Sequence, residues 1–537
     1  MKRMMKIGIA GVSMFVFGTM FGWVLFPMVL KSQVHKQIAL KEGSDMRAMW
    51  SKFPFALEFR IYLFNITNAD EIKSGAKPIV KQVGPYYFEE WQEKTNLVDR
   101  EEDDTVEYSI KNKWIFRADL SGEGLTGEEM LVLPHVFILA MVMTTVREKP
   151  TMVPVVNKAV NSIFKNPDSV FVKVRAMDMM FDGLPIDCTV TDFAGGAVCG
   201  MLRDAADDLM KDGPDKYRFS FLGAKNDTPT TKRLRVLRGV KNLMDVGVVV
   251  EYNGKTNIST WDDDYCDTFN GTDGTIFHPF LYENEDVVSF APDLCRSLST
   301  TYEEKTNIAG MQKSPPPPLS LRSLTTNRYT AFLGDPNTIP SQRCYCPTPD
   351  TCLKKGVMDL FKCIGAPLVA SHPHFYLADE DYLNMVDGLR PSKDEHGIFL
   401  DFEPFTGSPL SARKRLQFNI MIQKVEKFKI MKNFPEALLP LFWVEEGIVL
   451  PDYLIAQVKA GHKMVAIVGW MKWLMVVGGL GMSGAAGFMY YQATQKSKKL
   501  EITKAVTNGI KPGSTEKKIS PINVNTLQAA QVPPNLD

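Results

Sequence analysis

The stretch IGIAGVSMFVFGTMFGWVLFPMVL, residues 7–30, runs for 24 residues without a charge. A helix of that length crosses a hydrocarbon core about 30 Å thick. Lys2, Arg3 and Lys6 precede it and Lys31 follows. The run exceeds the roughly 7–15 apolar residues of a cleaved signal peptide and ends without a small-residue cleavage pattern, so an uncleaved anchor is expected. A second stretch, MVAIVGWMKWLMVVGGLGMSGAAGFMYY, residues 464–491, carries one charge, Lys472, between Trp470 and Trp473, with Tyr490 and Tyr491 at its far end. Aromatic residues at both ends suit the two interfaces of a bilayer, and Lys472 lies where its ammonium can snorkel outward. Lys496, Lys498 and Lys499 follow, and the excess of basic residues outside both runs puts both termini in the cytoplasm.

The expected division is a cytoplasmic N-terminus over 1–6, a transmembrane helix over 7–30, an extracellular domain over 31–463, a transmembrane helix over 464–491 and a disordered cytoplasmic tail over 492–537. Gly18 and Gly22 in the first helix, and Gly479, Ser483 and Gly487 in the second, repeat small residues every fourth position, a spacing that lets helices approach closely.

The loop carries its own marks of the cell exterior. All eight cysteines, Cys188, Cys199, Cys266, Cys295, Cys344, Cys346, Cys352 and Cys363, fall between the two apolar runs. An even number confined to that compartment reads as disulfides, whose pairing spacing alone leaves open. A metal site at Cys344, Cys346 and Cys352 with His372 and His374 fits poorly, because zinc ligands are set two to four residues apart and the first gap here is one residue. Sequons at Asn65, Asn226, Asn257 and Asn270 lie in the same loop and mark it as a glycoprotein surface.

Most of the loop reads as short strands between turn signals, for example Pro85 to Trp91, Tyr217 to Leu222, Val246 to Tyr252 and Ile398 to Phe402, and an antiparallel β architecture is the natural class. Helical spacing is clearest from Met152 to Phe164, and Val170 to Met180 is read as a second helix paired with it. Pro315 to Pro318 predicts a polyproline loop. The acidic runs Asp99 to Asp104 and Asp262 to Asp264 lack the calcium-loop pattern and are read as solvated loops. Lys plus Arg and Asp plus Glu balance at 62 each, so nucleic acid is not expected as a partner. Hydrolase, phosphate-loop, metalloprotease and dinucleotide fingerprints are all missing from the sequence, and no enzyme, cofactor or metal is expected.

The segments Phe64-Asn-Ile-Thr-Asn68, Val83-Gly-Pro-Tyr-Tyr-Phe88, Thr272-Asp-Gly-Thr275, Pro292-Asp-Leu-Cys-Arg-Ser297, Pro373-His-Phe375 and Leu441-Phe-Trp-Val-Glu-Glu-Gly447 together resemble the class B scavenger receptor family. Leu125-Thr-Gly-Glu-Glu129, Arg238-Gly-Val-Lys-Asn242, Phe402-Glu-Pro-Phe-Thr-Gly407, Arg415-Leu-Gln-Phe-Asn419 and the extra pair Cys188 and Cys199 narrow the resemblance to insect sensory neuron membrane proteins, nearer the pheromone-neuron branch than its support-cell sibling. The resemblance implies a mixed, β-rich, barrel-like ectodomain with a helical cap and an internal apolar tunnel. It implies the pairs Cys266 with Cys344, Cys295 with Cys363 and Cys346 with Cys352, leaving Cys188 and Cys199 to pair locally. Lys165 sits near a family lysine that contacts acidic ligands, offset by about one residue, with Lys158 and Lys173 as weaker candidates. The stretch 311–324 looks like an insertion relative to the family.

The implied function is an olfactory co-receptor in the plasma membrane of sensory dendritic cilia, taking a long-chain, fatty-acid-derived pheromone directly or from a soluble carrier protein and handing it to an odorant receptor and its co-receptor. A general lipid or lipoprotein uptake receptor of support cells would share the same features.

Overall fold

The structure, a computed structural model, describes residues 2–204, 209–309, 323–331, 333–348 and 351–508. The polyproline run, the insertion before Ser323 and the tail beyond Asn508 lie outside the described residues. The chain divides into two units, residues 1–28 with 464–537, and residues 29–463.

The terminal unit is built from two helices long and apolar enough to cross a membrane, Lys2–Ile38 and Asp452–Ala505. Pro27 has no N–H to give to the turn before it, and a π turn at Phe21–Leu25 absorbs the mismatch there. The two helices meet at glycine. A Cβ on Gly11 would lie 2.6 Å from Ser483 Oγ and 2.9 Å from the Gly479 carbonyl, and one on Gly18 would lie 2.8 Å from Met475 Cβ. Gly22 meets the Lys472 methylenes, while Gly487 faces open space and takes no part. The Lys472 ammonium sits 4.2 Å from the Trp23 ring, and Trp23 meets Trp473 edge to face. Helix continues to Asn508, so residues 492–508 correct the expectation of a disordered tail. That segment contains no Gly or Pro before Gly509, and its Lys, Ala, Glu and Leu residues are good helix formers.

The larger unit is organised by a 14-stranded antiparallel sheet. Its path runs Val249–Tyr252, Leu234–Leu237, Thr105–Phe116, Val80–Arg100, Leu57–Ile66, Ala437–Val449, Ser408–Ile422, Phe399–Glu403, Ser323–Ala331, Arg296–Ala309 and Val287–Ala291. The two outermost strands are stitched together by residues 271–273. Val249 N–H donates to Gly271 O, Thr272 N–H to Val288 O, and Phe290 N–H to Thr272 O. Gly271 is required here, because its φ is +79° and a side chain would run into the Val288 backbone. Beside this seam Asp273 Oδ2 accepts from Tyr108 Oη at 2.7 Å and Trp50 Nε1 at 3.2 Å, with Lys94 Nζ 3.9 Å away. Burial lowers the Lys94 amine to about 8 against the pull of Asp273.

The acidic run at 99–104 is not a free loop, which corrects its sequence reading. It turns the hairpin between two long strands, and Asp99 and Asp104 pair with buried Arg47 and Arg238. Asp262 to Asp264 is exposed. Val170 to Met180 is a strand at Phe171–Arg175, paired with Met130–Pro134, followed by a π turn at Asp178–Asp182. Alternating Val170, Val172 and Val174 favour extended backbone over helix there. Val153–Ile163 packs instead against the helices Phe193–Asp204 and Val136–Glu148, the latter apolar nearly all round and therefore silent as a periodic signal.

Residues 371–397 cover the outer face of the sheet. His374 Nδ1 accepts the Arg390 N–H at 2.9 Å, which leaves Nε2 to donate to Gln82 Oε1 at 2.6 Å, and Trp443 Nε1 donates to the same oxygen at 2.7 Å. The His374 and His396 rings stack 4.4 Å apart. Burial lowers His372 and His374 to about 4, and burial together with His374 and Arg415 lowers His396 to about 3.

Two outcomes follow. Asp273→Ala strands a buried ammonium and two buried donors, and should cost about 3–5 kcal/mol in a urea melt; a loss below about 1 kcal/mol contradicts the role of the seam. The three histidines stay neutral in the fold while the unfolded chain takes up protons below its ordinary value of 6.5. Thermal stability should therefore fall as pH drops from about 6.5 to 4, and a flat profile across that window contradicts the burial.

Candidate functional site

Strand register decides which side chains share a face. Phe59, Phe88, Phe116, Glu446 and Lys414 lie in one row, Ile61, Tyr86, Val444 and Leu416 in the next, and Leu63, Phe442 and Phe418 beyond them. Leu57, Glu90 and Trp114 form the row on the other side. This face looks inward, because Lys94, on the same face of its strand as Glu90, reaches Asp273 at the seam that joins the two distant edges. The alternate residues, Arg60, Glu445 and Arg415, then Tyr62, Trp443 and Gln417, look outward.

Burial is uneven along the inward face, where Ile61, Leu63, Tyr86 and Phe88 are fully buried. Outward Gln417 is 0 % exposed under the 371–397 layer, whereas inward Leu416, Phe418 and Val444 are only half-buried. Inward Lys414 and Glu446, paired at 3.3 Å, keep 40 % and 32 % of their side-chain surface. Most of the inward face is apolar and aromatic: Phe221 stacks on Phe442 at 3.9 Å, Phe88 meets Phe181 at 4.8 Å and Phe59 meets Trp114 at 5.7 Å. A surface of this kind suits an alkyl chain, which needs contact area rather than hydrogen bonds. Two surface recesses, of ≈ 330 Å³ beside Lys41 and Arg238 and ≈ 420 Å³ beside Gln82, His374 and His396, are lined by charged and polar groups and offer no such wall.

Phe181 and Phe221 come from the cap region, whose helices are Val136–Glu148, Val153–Ile163 and Phe193–Asp204. Cys188–Cys199 ties the last helix to the strand before it, and Gly195 packs against Val190 and Ser162. The exposed rings and thioethers of Phe193, Met201 and Met152 lie on this region. Lys158 on the helix, Lys165 in the turn after it and Lys173 on the following strand are all exposed, on three separate elements. The structure also joins Cys266 to Cys344, Cys295 to Cys363 and Cys346 to Cys352. Asp263, Cys266 and Cys344 gather closely, but the two sulfurs are bonded to each other, so no thiolate is left to bind an ion.

Reading the sequence missed Glu90, Lys414 and Glu446 as inward groups. Period-two alternation from Phe88 already placed Glu90 on an apolar face; for the other two, the pairing of distant strands was needed.

The sequence has relatives among known proteins. A family model described as CD36 family matches residues 9–490. "Sensory neuron membrane protein 1" of Apis mellifera is 50 % identical over 532 residues, 99 % of each chain. The protein of the same name from Antheraea polyphemus is 46 % identical over 491 residues, 91 % of this chain and 90 % of that one, and the one from Ostrinia furnacalis is 41 % identical over 544 residues, 100 % and 99 %. The chain, with its nearly closed sheet, four disulfides and two membrane-length helices, belongs to the CD36 family.

Proposed function

We propose that this protein is an olfactory membrane co-receptor whose ectodomain binds long-chain, fatty-acid-derived pheromones and conducts them through its interior to an odorant receptor and its co-receptor. The supporting observation is the apolar and aromatic lining of the enclosed face, where Leu416, Phe418 and Val444 remain half-buried beside buried Ile61, Leu63 and Tyr86. Such a face has a physical task. Each methylene removed from water is worth about 0.8 kcal/mol, so a chain of roughly 12 such groups resists free aqueous transfer by about 10 kcal/mol. An enclosed apolar path lowers that barrier. The ligand enters at the cap, where Phe193, Met201 and Met152 are exposed and Lys158, Lys165 and Lys173 supply positive charge, either from solution or from a soluble carrier. The names of the relatives favour a sensory neuron as the site of action, and the ectodomain then faces the lymph around the dendritic cilium, with both termini in the cytoplasm.

The outside placement of residues 31–463 carries its own support. At Asn65, Asn226 and Asn257 the amide oxygen accepts a hydrogen bond, from Val132 N–H, Trp114 N–H and Ser259 O–H, while the nitrogen that bears a glycan donates none among the described bonds. Asn270 is exposed.

Glycosidase treatment of the protein from insect cells should shift its mass by four glycans, with Asn65→Gln, Asn226→Gln, Asn257→Gln and Asn270→Gln each removing one; a chain without glycans contradicts the topology. Val444→Trp fills the enclosed face. Surface expression should be unchanged while pheromone-evoked currents fall by about tenfold or more at a fixed dose, and unaltered currents contradict the conduit.

A further inference from the structure

The two membrane-length helices run antiparallel in a register that their glycine contacts fix. A Cβ on Gly8 would lie 3.4 Å from Ala486 Cβ, one on Gly11 2.6 Å from Ser483 Oγ and one on Gly18 2.8 Å from Met475 Cβ. Residue numbers on one helix rise as those on the other fall, one for one. The first helix begins at Lys2, so the same register sets Lys6 level with Phe488, Arg3 level with Tyr491 and Lys2 level with Gln492. The second helix runs on without a break to Asn508, and it carries Lys496, Lys498 and Lys499 about 7–12 Å beyond Tyr491 along the axis. Basic residues from opposite ends of the chain therefore gather at one end of one helix pair.

Lys2, Arg3, Lys6, Lys496, Lys498 and Lys499 are all exposed, and none of their side chains is held in an ion pair among the described residues. Glu501 is the one acidic residue within 2–6 and 492–508. A signal for orientation in the membrane asks only for basic residues near the boundary. These do more, because helix holds them at two heights, one group within a turn of the Tyr490 and Tyr491 belt and one beyond it. A hydrocarbon core of about 30 Å inside a bilayer of about 40–45 Å leaves roughly 5–8 Å of headgroup on each side. The first group lies at the inner edge of that layer and the second at its outer edge, each within a Debye length of about 8 Å at physiological salt.

We infer that these six residues form a collar for phospholipids of the cytoplasmic leaflet that carry phosphate at two heights, the inositol lipids with phosphate monoesters on the ring. Arg3, level with the aromatic belt, offers its planar fork to the phosphodiester that joins glycerol to inositol, with Lys2 and Lys6 beside it. Lys496, Lys498 and Lys499 meet the ring phosphates, which stand further from the hydrocarbon. A zwitterionic headgroup brings no net charge to either group. Phosphatidylserine, with one net charge and one phosphate, engages the first group alone. The inference rests on the proposed placement of both termini in the cytoplasm.

The test releases the full-length protein from micelles in a native mass spectrometer, in the presence of equal amounts of phosphatidylcholine, phosphatidylserine and phosphatidylinositol bisphosphate with the same acyl chains. The bisphosphate should be retained about tenfold more than phosphatidylserine, and phosphatidylcholine least of the three. Lys496→Gln, Lys498→Gln and Lys499→Gln together should bring the bisphosphate down to the level of phosphatidylserine. Lys2→Gln, Arg3→Gln and Lys6→Gln together should lower both anionic lipids. Lys504→Gln, about 20 Å beyond Tyr491, should change neither. Equal retention of the three lipids, a preference for the bisphosphate that survives both triple variants, or an equal loss with Lys504→Gln overturns the collar. Glycosidase mass shifts on the same samples read the topology separately, and a chain without glycans overturns the placement of the termini on which the collar rests.

Discussion

The seam at Gly271, Thr272 and Asp273 turns an open sheet into an enclosure. Its backbone groups link the strands at Val249–Tyr252 and Val287–Ala291, which leaves neither edge to pair with another chain. Its Asp273 side chain gathers Trp50, Tyr108 and Lys94 from three other places in the sequence. Such a buried charge is tolerable only because it is met from several sides. Once the edges are joined, every strand acquires an inside and an outside, and the period-two alternation of each strand becomes an assignment of side chains to interior or exterior.

The interior is packed like an ordinary protein core only in part. An ordinary core fills at close-packed density, leaving its inward residues the most buried. Here Ile61, Leu63, Tyr86 and Phe88 are buried inside in that way, Leu416, Phe418 and Val444 are only half-buried, and outside the sheet Arg415, Gln417 and Asn419 hydrogen-bond to Gly397, His374 and Val369. The main apolar cluster includes Ile61, Leu63, Tyr86 and Phe88 from the enclosed face, so packing there is tight and loosens only around Leu416, Phe418 and Val444. The Lys414–Glu446 pair left partly exposed there interrupts an otherwise greasy surface.

Much of this was legible in the residues. The two terminal helices follow from runs of uncharged residues and their aromatic borders, because length and hydropathy are local quantities. What defeated local reading was partnership over distance. Asp99 looks solvated until Arg47 and Arg238, 52 and 139 residues away, fold onto it. Val170 to Met180 passes for a helix until Met130–Pro134 pairs with it as a strand. Val136–Glu148 carries no amphipathic stripe because it is covered on most sides. The inward position of Glu90 was present in the alternation of its strand, but the upward push on its carboxyl comes from burial and from Glu446, which lies across the strand between them.

The central claim is that the closed sheet surrounds space occupied by a long-chain molecule. Electron cryo-microscopy of the full-length protein in nanodiscs, loaded with a long-chain ester brominated at its terminal carbon, addresses it directly. The account predicts bromine density inside the sheet, between Phe88, Phe418 and Val444. Bromine density confined to the surrounding bilayer, with those side chains packed against one another, contradicts it.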